Sequence, residues 1–109
     1  MKDNKTYLQH IFQAIEKIEK YLTGVSYETF QANDMMFDAV IHEIQIIGEA
    51  ANSIDKAFQD QHPEIPWIRV IGMRNYLVHE YFGVISKIVW DTAQDNLGEL
   101  KKAIMILLH

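Results

Sequence analysis

A chain of 109 residues, 49% of them hydrophobic, is one globular domain, too apolar for disorder and too short for two cores. Having no cysteine, it can form no disulfide, no thiolate metal site and no cysteine nucleophile. A formal net charge of −5 speaks against indiscriminate nucleic-acid binding, yet it allows RNA held by a few local cations and suits a basic protein partner.

Met1-Lys2-Asp3-Asn4-Lys5 runs straight into a helical pattern with no apolar signal core, and no apolar run reaches the ~20 residues of a membrane span. A cytoplasmic protein with no membrane contact is expected. Leu8, Ile11, Phe12, Ile15, Ile18 and Leu22 form one stripe, predicting a first helix from about Asn4 to Leu22 that Gly24 ends. Ser26 to Phe30 reads as a short helical turn capped by Ser26. Met36, Val40, Ile44, Ile47, Ala51, Ile54 and Phe58 recur at steps of four and three, predicting one long amphipathic helix. His62-Pro63-Glu64-Ile65-Pro66 breaks the chain, and Pro66 suits the first turn of a new helix. That helix starts at Trp67 and ends between Tyr76 and Tyr81, before Gly83. Ser86 is placed to cap the last helix, whose stripe is Val89, Ala93, Leu97, Leu100, Ile104 and Leu107. Gly98 inside it costs ~1 kcal/mol relative to alanine and marks a bend. The expected architecture is all-α, a bundle of four to five helices in a single domain over residues 1–109.

The helix from Trp67 breaks a rule. Its row Trp67, Ile71, Arg74, Val78, Tyr81 sets an arginine in an apolar seam, and a second row, Val70, Met73, Leu77, is apolar too. Two apolar faces in so small a bundle predict that one meets a second copy, giving a homodimer with Arg74 at or near the interface. The plain reading of Arg74 is an ion pair with Glu49, and composition alone favours that roughly two to one over catalysis. His79 lies four residues after Asn75, which is placed to orient its imidazole. Its plain reading is a histidine at the negative end of a helix dipole. Five residues on an ideal helix turn through about 140°, so Arg74 and His79 converge only if the helix loosens near Gly83 or if two copies share one cleft. Tyr81, seven residues beyond Arg74, returns to its face, and its plain reading is an interface aromatic. Asp38 and His42 make half a metal site with no third ligand. His10 and His109 have no partners in view, while His62 precedes a proline in a loop and needs no function. No metal and no cofactor are expected. There is no phosphate-cradling glycine loop, GxSxG or HExxH.

Pro66-Trp67, followed by Gly72-Met73-Arg74-Asn75-Tyr76-Leu77-Val78-His79-Glu80-Tyr81-Phe82-Gly83, resembles the HepT-like branch of the HEPN superfamily. The branch's signature, arginine, four residues, histidine, any residue, tyrosine, is met by Arg74, His79 and Tyr81, with Asn75 as the polar residue after the arginine. Ile47-Gly48-Glu49-Ala50-Ala51 and the His62-to-Trp67 turn also look like this branch, so the resemblance spans nearly the whole chain. It implies a helical, dimeric ribonuclease toxin of a toxin–antitoxin pair, whose partner is an MNT-type (MntA-like) nucleotidyltransferase antitoxin. It further implies that the antitoxin transfers AMP from ATP to Tyr81, and that the motifs of two copies line one cleft.

RNA carries its own nucleophile in the 2′-hydroxyl, so cleavage needs a proton acceptor, a proton donor and a cation at the phosphate. Imidazole can serve as acceptor or donor, and the two His79 rings of a dimer can divide the roles. Arg74 would hold the phosphate and offset charge developing on its oxygens. Two other readings stand beside this one. The first is a non-catalytic HEPN module serving as adaptor for a nucleotidyltransferase. The second is a plain helical dimerisation domain in which Arg74 forms an interfacial ion pair.

Overall fold

The opening stripe becomes α1, Asn4–Leu22, in a computed structural model that describes residues 3–109. Met1 and Lys2, the start of the expected helical opening, lie outside the described residues. Asp3 caps α1: its carboxylate accepts from the Thr6 amide and the Thr6 hydroxyl, each at 2.9 Å. The amide hydrogen bond, then the hydroxyl one, holds the Asp3 carboxyl below the usual range. Gly24, at φ +72°, takes the left-handed conformation that lets the chain leave the helix. Ser26 caps α2, Tyr27–Ala32, as expected, accepting from the Thr29 amide at 3.2 Å.

Asn33 caps α3, Asp34–Ser53, accepting from the Met36 amide at 3.0 Å. The predicted long helix does not continue to Phe58. It breaks at Ile54–Asp55, and Phe58 belongs to a separate short helix, α4, Lys56–Gln61. Tertiary hydrogen bonds hold the break open, with Gln59 Nε2 donating to the carbonyls of Ala51 and Ile54. The Asp55 amide is taken by Asn4 Oδ1 at 3.1 Å. The proline turn then leads into α5, Trp67–His79, anchored where Trp67 Nε1 donates to the carbonyls of Gln59 and His62 at 3.1 and 3.0 Å.

The final segment comprises α6, Ser86–Asp91, a π-helical turn at Thr92–Asn96, and α7, Leu97–Leu108. Ser86 does not cap it. The residue sits inside the first turn, with Oγ 3.0 Å from Tyr27 Oη, while Ile85 occupies the cap position. The irregularity expected at Gly98 lies one turn earlier, in the π turn.

Among the described residues α1, α3, α5 and the continuous α6–π–α7 segment are the four long elements of the bundle, and α2 and α4 are short helices between them. On one side α1 packs on α3 and α7, while α5 lies on α3's other flank and barely touches α7. Ile11, Ile15 and Ile18 of α1 meet Ile44, Ile47, Leu77 and Ile104 in one core, all of them 2% exposed or less. Each such side chain contributes about 1.5–3 kcal/mol by burial. The gap between α5 and α7 is a groove of about 350 Å³ floored by Ile44 and Ile47. Among the described residues no helix is long and apolar enough to cross a membrane.

Candidate active site

Arg74 begins where two helices nearly touch. At Gly48, α5 lies so close to α3 that an added methyl group would overlap the Arg74 Cβ and sit 2.9 Å from its Cγ. The arginine stem is thereby pressed on the α3 backbone, one residue from Glu49. Arg74 Nε and Nη2 both donate to Glu49 Oε1, at 2.5 Å each, and Nη1 donates to Asn75 Oδ1 at 2.8 Å. The ion pair expected between Arg74 and Glu49 is therefore present. A guanidinium has five N–H donors, so two are left for an anion. The side chain is 30% exposed, which opens that remaining pair to solvent.

Asn75 does not orient His79 as its spacing suggested. Its carbonyl oxygen turns to the neighbouring guanidinium, where a charged donor makes the stronger bond. His79 is the last residue of α5, exposed, at the end where carbonyl dipoles favour a cation. Tyr81 stands beyond the helix, 66% exposed, so the ideal-helix relation that returned it to Arg74's face does not apply. The helix stops because Tyr76 ties down the turn after His79: its carbonyl accepts from the Glu80 amide at 2.9 Å, and its hydroxyl accepts from the Ile85 amide at 3.0 Å. Arg74, Asn75 and Glu49 are thus one cluster. Among the described residues no hydrogen bond joins His79 or Tyr81 to it.

The groove between α5 and α7 belongs to the opposite flank of α5, lined by Val70 and Met73 rather than Arg74. Among the described residues no three acids or histidines gather as a metal site. One further residue of the Arg74 cluster, Gly48, stands out in the sequence only as a letter of a motif. It carried a signal, since a glycine deep in an amphipathic helix needs a reason for its ~1 kcal/mol penalty.

The sequence model of the Ribonuclease HepT-like family matches residues 11–107. A candidate RNase of Caldanaerobacter subterraneus subsp. tengcongensis is 37% identical over 109 residues, covering 100% of this chain and 97% of that protein. A candidate ribonuclease HepT of Thermococcus cleftensis is 39% identical over 100 residues, covering 92% of this chain and 91% of its own. A candidate RNase of Methanocaldococcus jannaschii is 31% identical over 106 residues, covering 97% of both. No solved structure matches significantly. The chain belongs to the HepT-like ribonuclease family of the HEPN superfamily.

Proposed function

We propose that this ribonuclease is the toxin of a toxin–antitoxin pair, a metal-independent endoribonuclease that works at a cleft shared by two copies. The observation that carries the proposal is Arg74, fixed by Glu49 and Asn75 with two N–H groups to spare, on the same helix as an exposed His79. The pair is five positions apart on one helix, so a second copy is the simplest way to face a guanidinium with an imidazole. Val78, Ile85 and Ile88, 46%, 56% and 38% exposed beside the motif, supply apolar surface for that contact.

In the reaction one His79 takes the proton of the 2′-hydroxyl. The freed oxygen attacks phosphorus, the bond to the 5′-oxygen breaks, and the other copy's imidazolium protonates that leaving oxygen. Arg74 holds the phosphate while charge builds on its oxygens. The products are a 2′,3′-cyclic phosphate and a 5′-hydroxyl. The accessible Tyr81 hydroxyl is the acceptor for regulation: a nucleotidyltransferase antitoxin joins it to the α-phosphorus of ATP and releases pyrophosphate. The added phosphate and base then stand against the RNA.

The test is cleavage of an oligoribonucleotide in chelator by the wild type, Arg74→Ala and His79→Ala, with sedimentation run alongside. Cleavage to cyclic-phosphate ends, lost in both variants while the dimer survives, is expected. Mass spectrometry after incubation with the partner and ATP should place one adenylate on Tyr81. An unmodified Tyr81 with toxicity still neutralised refutes the regulatory part. The net charge of −5 favours a second reading, a non-catalytic adaptor, which an inert wild type would support.

A further inference from the structure

Phe82 is 100% exposed, and the Tyr81 ring stands nearly perpendicular to it, 87° between planes and 5.1 Å between centroids. A phenylalanine held wholly in water forgoes the burial its kind normally gains, and such rings mark contact sites. This ring does not hang on a loose end. The Glu80 amide donates to the Tyr76 carbonyl, the Gly83 amide to the Glu80 carbonyl at 2.7 Å, and the Ile85 amide to the Tyr76 hydroxyl. Both sides of the turn are therefore tied to the body of the domain, and the backbone that carries the ring is fixed before anything binds.

Charge decides what such a ring can meet. Of the 10 lysines and arginines, Lys56, Arg74, Lys87 and Lys101 are already paired with Asp60, Glu49, Asp91 and Glu19. Arg74 keeps two N–H groups for one phosphate, but a chain of net charge −5 has no overall attraction for a polyanion. Further affinity for RNA is open to a ribonuclease so built through the faces of the bases, which stack on aromatic rings whatever their identity. A duplex hides those faces, whereas an unpaired nucleotide offers them. The aliphatic surface of Val78, Ile85 and Ile88 suits a protein; a bare ring three residues from His79 suits a base.

We propose that Phe82, with the Tyr81 ring perpendicular beside it, is a base-stacking subsite for an unpaired nucleotide next to the phosphodiester that is cut. The inference rests on the ribonuclease reading above. It makes the enzyme selective for looped or single-stranded RNA by contact with bases rather than by charge.

The probe is a 2′-O-methyl oligoribonucleotide, which has no free 2′-hydroxyl to attack with and so binds without being cut, used alone and annealed to its complement. Binding by fluorescence anisotropy is compared for the wild type, Phe82→Leu and Phe82→Trp, with sedimentation of each. Phe82→Leu keeps an apolar side chain but loses the π face, and is expected to weaken single-strand binding about 10- to 100-fold. Phe82→Trp should bind like the wild type, the annealed probe should bind weakly to all three, and sedimentation should be unchanged. The ring is fully exposed, so neither variant threatens the fold. Equal binding by Phe82→Leu, in a wild type that cleaves RNA, overturns the subsite alone. A dimer weakened by Phe82→Leu overturns it too and assigns the ring to the contact between copies. A wild type that neither binds the probe nor cleaves RNA takes the ribonuclease reading down with it.

Discussion

Replacing Gly48 by alanine adds one methyl group at the point where α5 presses on α3. That group would overlap the Arg74 Cβ, come within 2.9 Å of Cγ and approach the Val70 carbonyl oxygen to 3.3 Å. Carbon atoms in contact prefer about 3.5–4 Å, so the added carbon and the Arg74 Cβ must part by roughly 1.5 Å. The Cβ cannot swing aside as a side-chain tip would. Overpacking of this kind costs about 1–3 kcal/mol, and alanine's better helix propensity offsets about 1 kcal/mol of it. The expected net loss is about 1 kcal/mol, a Tm lower by about 4–8 °C. Activity should fall much further, because a shift of ~1 Å in a catalytic group costs about 100-fold. Gly72 and Gly98, which have open space where a Cβ would go, are the matched controls. Gly72→Ala and Gly98→Ala should each raise stability by up to ~1 kcal/mol. Thermal unfolding and kcat/KM on one RNA substrate decide the matter. If Gly48→Ala proves as stable and as active as Gly72→Ala, the close approach does not set the arginine's position.

Glu49→Gln keeps the shape of the arginine's partner but removes its charge. Stability should change by less than ~1 kcal/mol, since both groups are partly exposed, while kcat/KM falls about tenfold. Unchanged kinetics would leave Asn75 and the Gly48 contact as sufficient supports. Asp3→Ala should destabilise the chain at neutral pH. The Asp3 carboxyl is held low in the folded state, so its contribution is present above the unfolded value and is lost as pH falls through the folded one. Urea midpoints of the two proteins should therefore converge in acid, and a gap that persists there would contradict the capping role.

Most of the bundle is legible in the sequence where local chemistry decides it. The bounds of α1 follow from one apolar stripe and a glycine at φ +72°, and the entry to α5 follows from the proline turn. The breaks that escape a sequence reading are decided at a distance. Nothing in Ile54-Asp55 forbids a helix; Gln59 and Asn4 end it there. Ser86 has the chemistry of a cap but meets Tyr27 instead. At the site, the partnership of Arg74 with Glu49 is foreseeable because a charge in an apolar seam needs its counter-charge. The partner of Asn75 is less so, since an arginine one residue away outcompetes a histidine one turn away. Where α5 stops, and so where His79 and Tyr81 stand, depends on the reach of the Tyr76 hydroxyl to Ile85, which no local pattern encodes.

The widened turn at Thr92–Asn96 corrects a phase error in the last helix. Val89 and Leu97 are both buried, 0% and 5% exposed, yet eight ordinary helical steps would leave them about 80° apart. Five residues wound with i→i+5 bonding advance more slowly, and the two side chains come back into line. The turn behaves as an absorbed insertion. Deleting one residue within it, Gln94 for instance, would leave seven regular steps and an error of only about 20°. Such a shortened chain should fold with its core register intact, whereas the same deletion at Leu100 should scramble the α1–α7 seam.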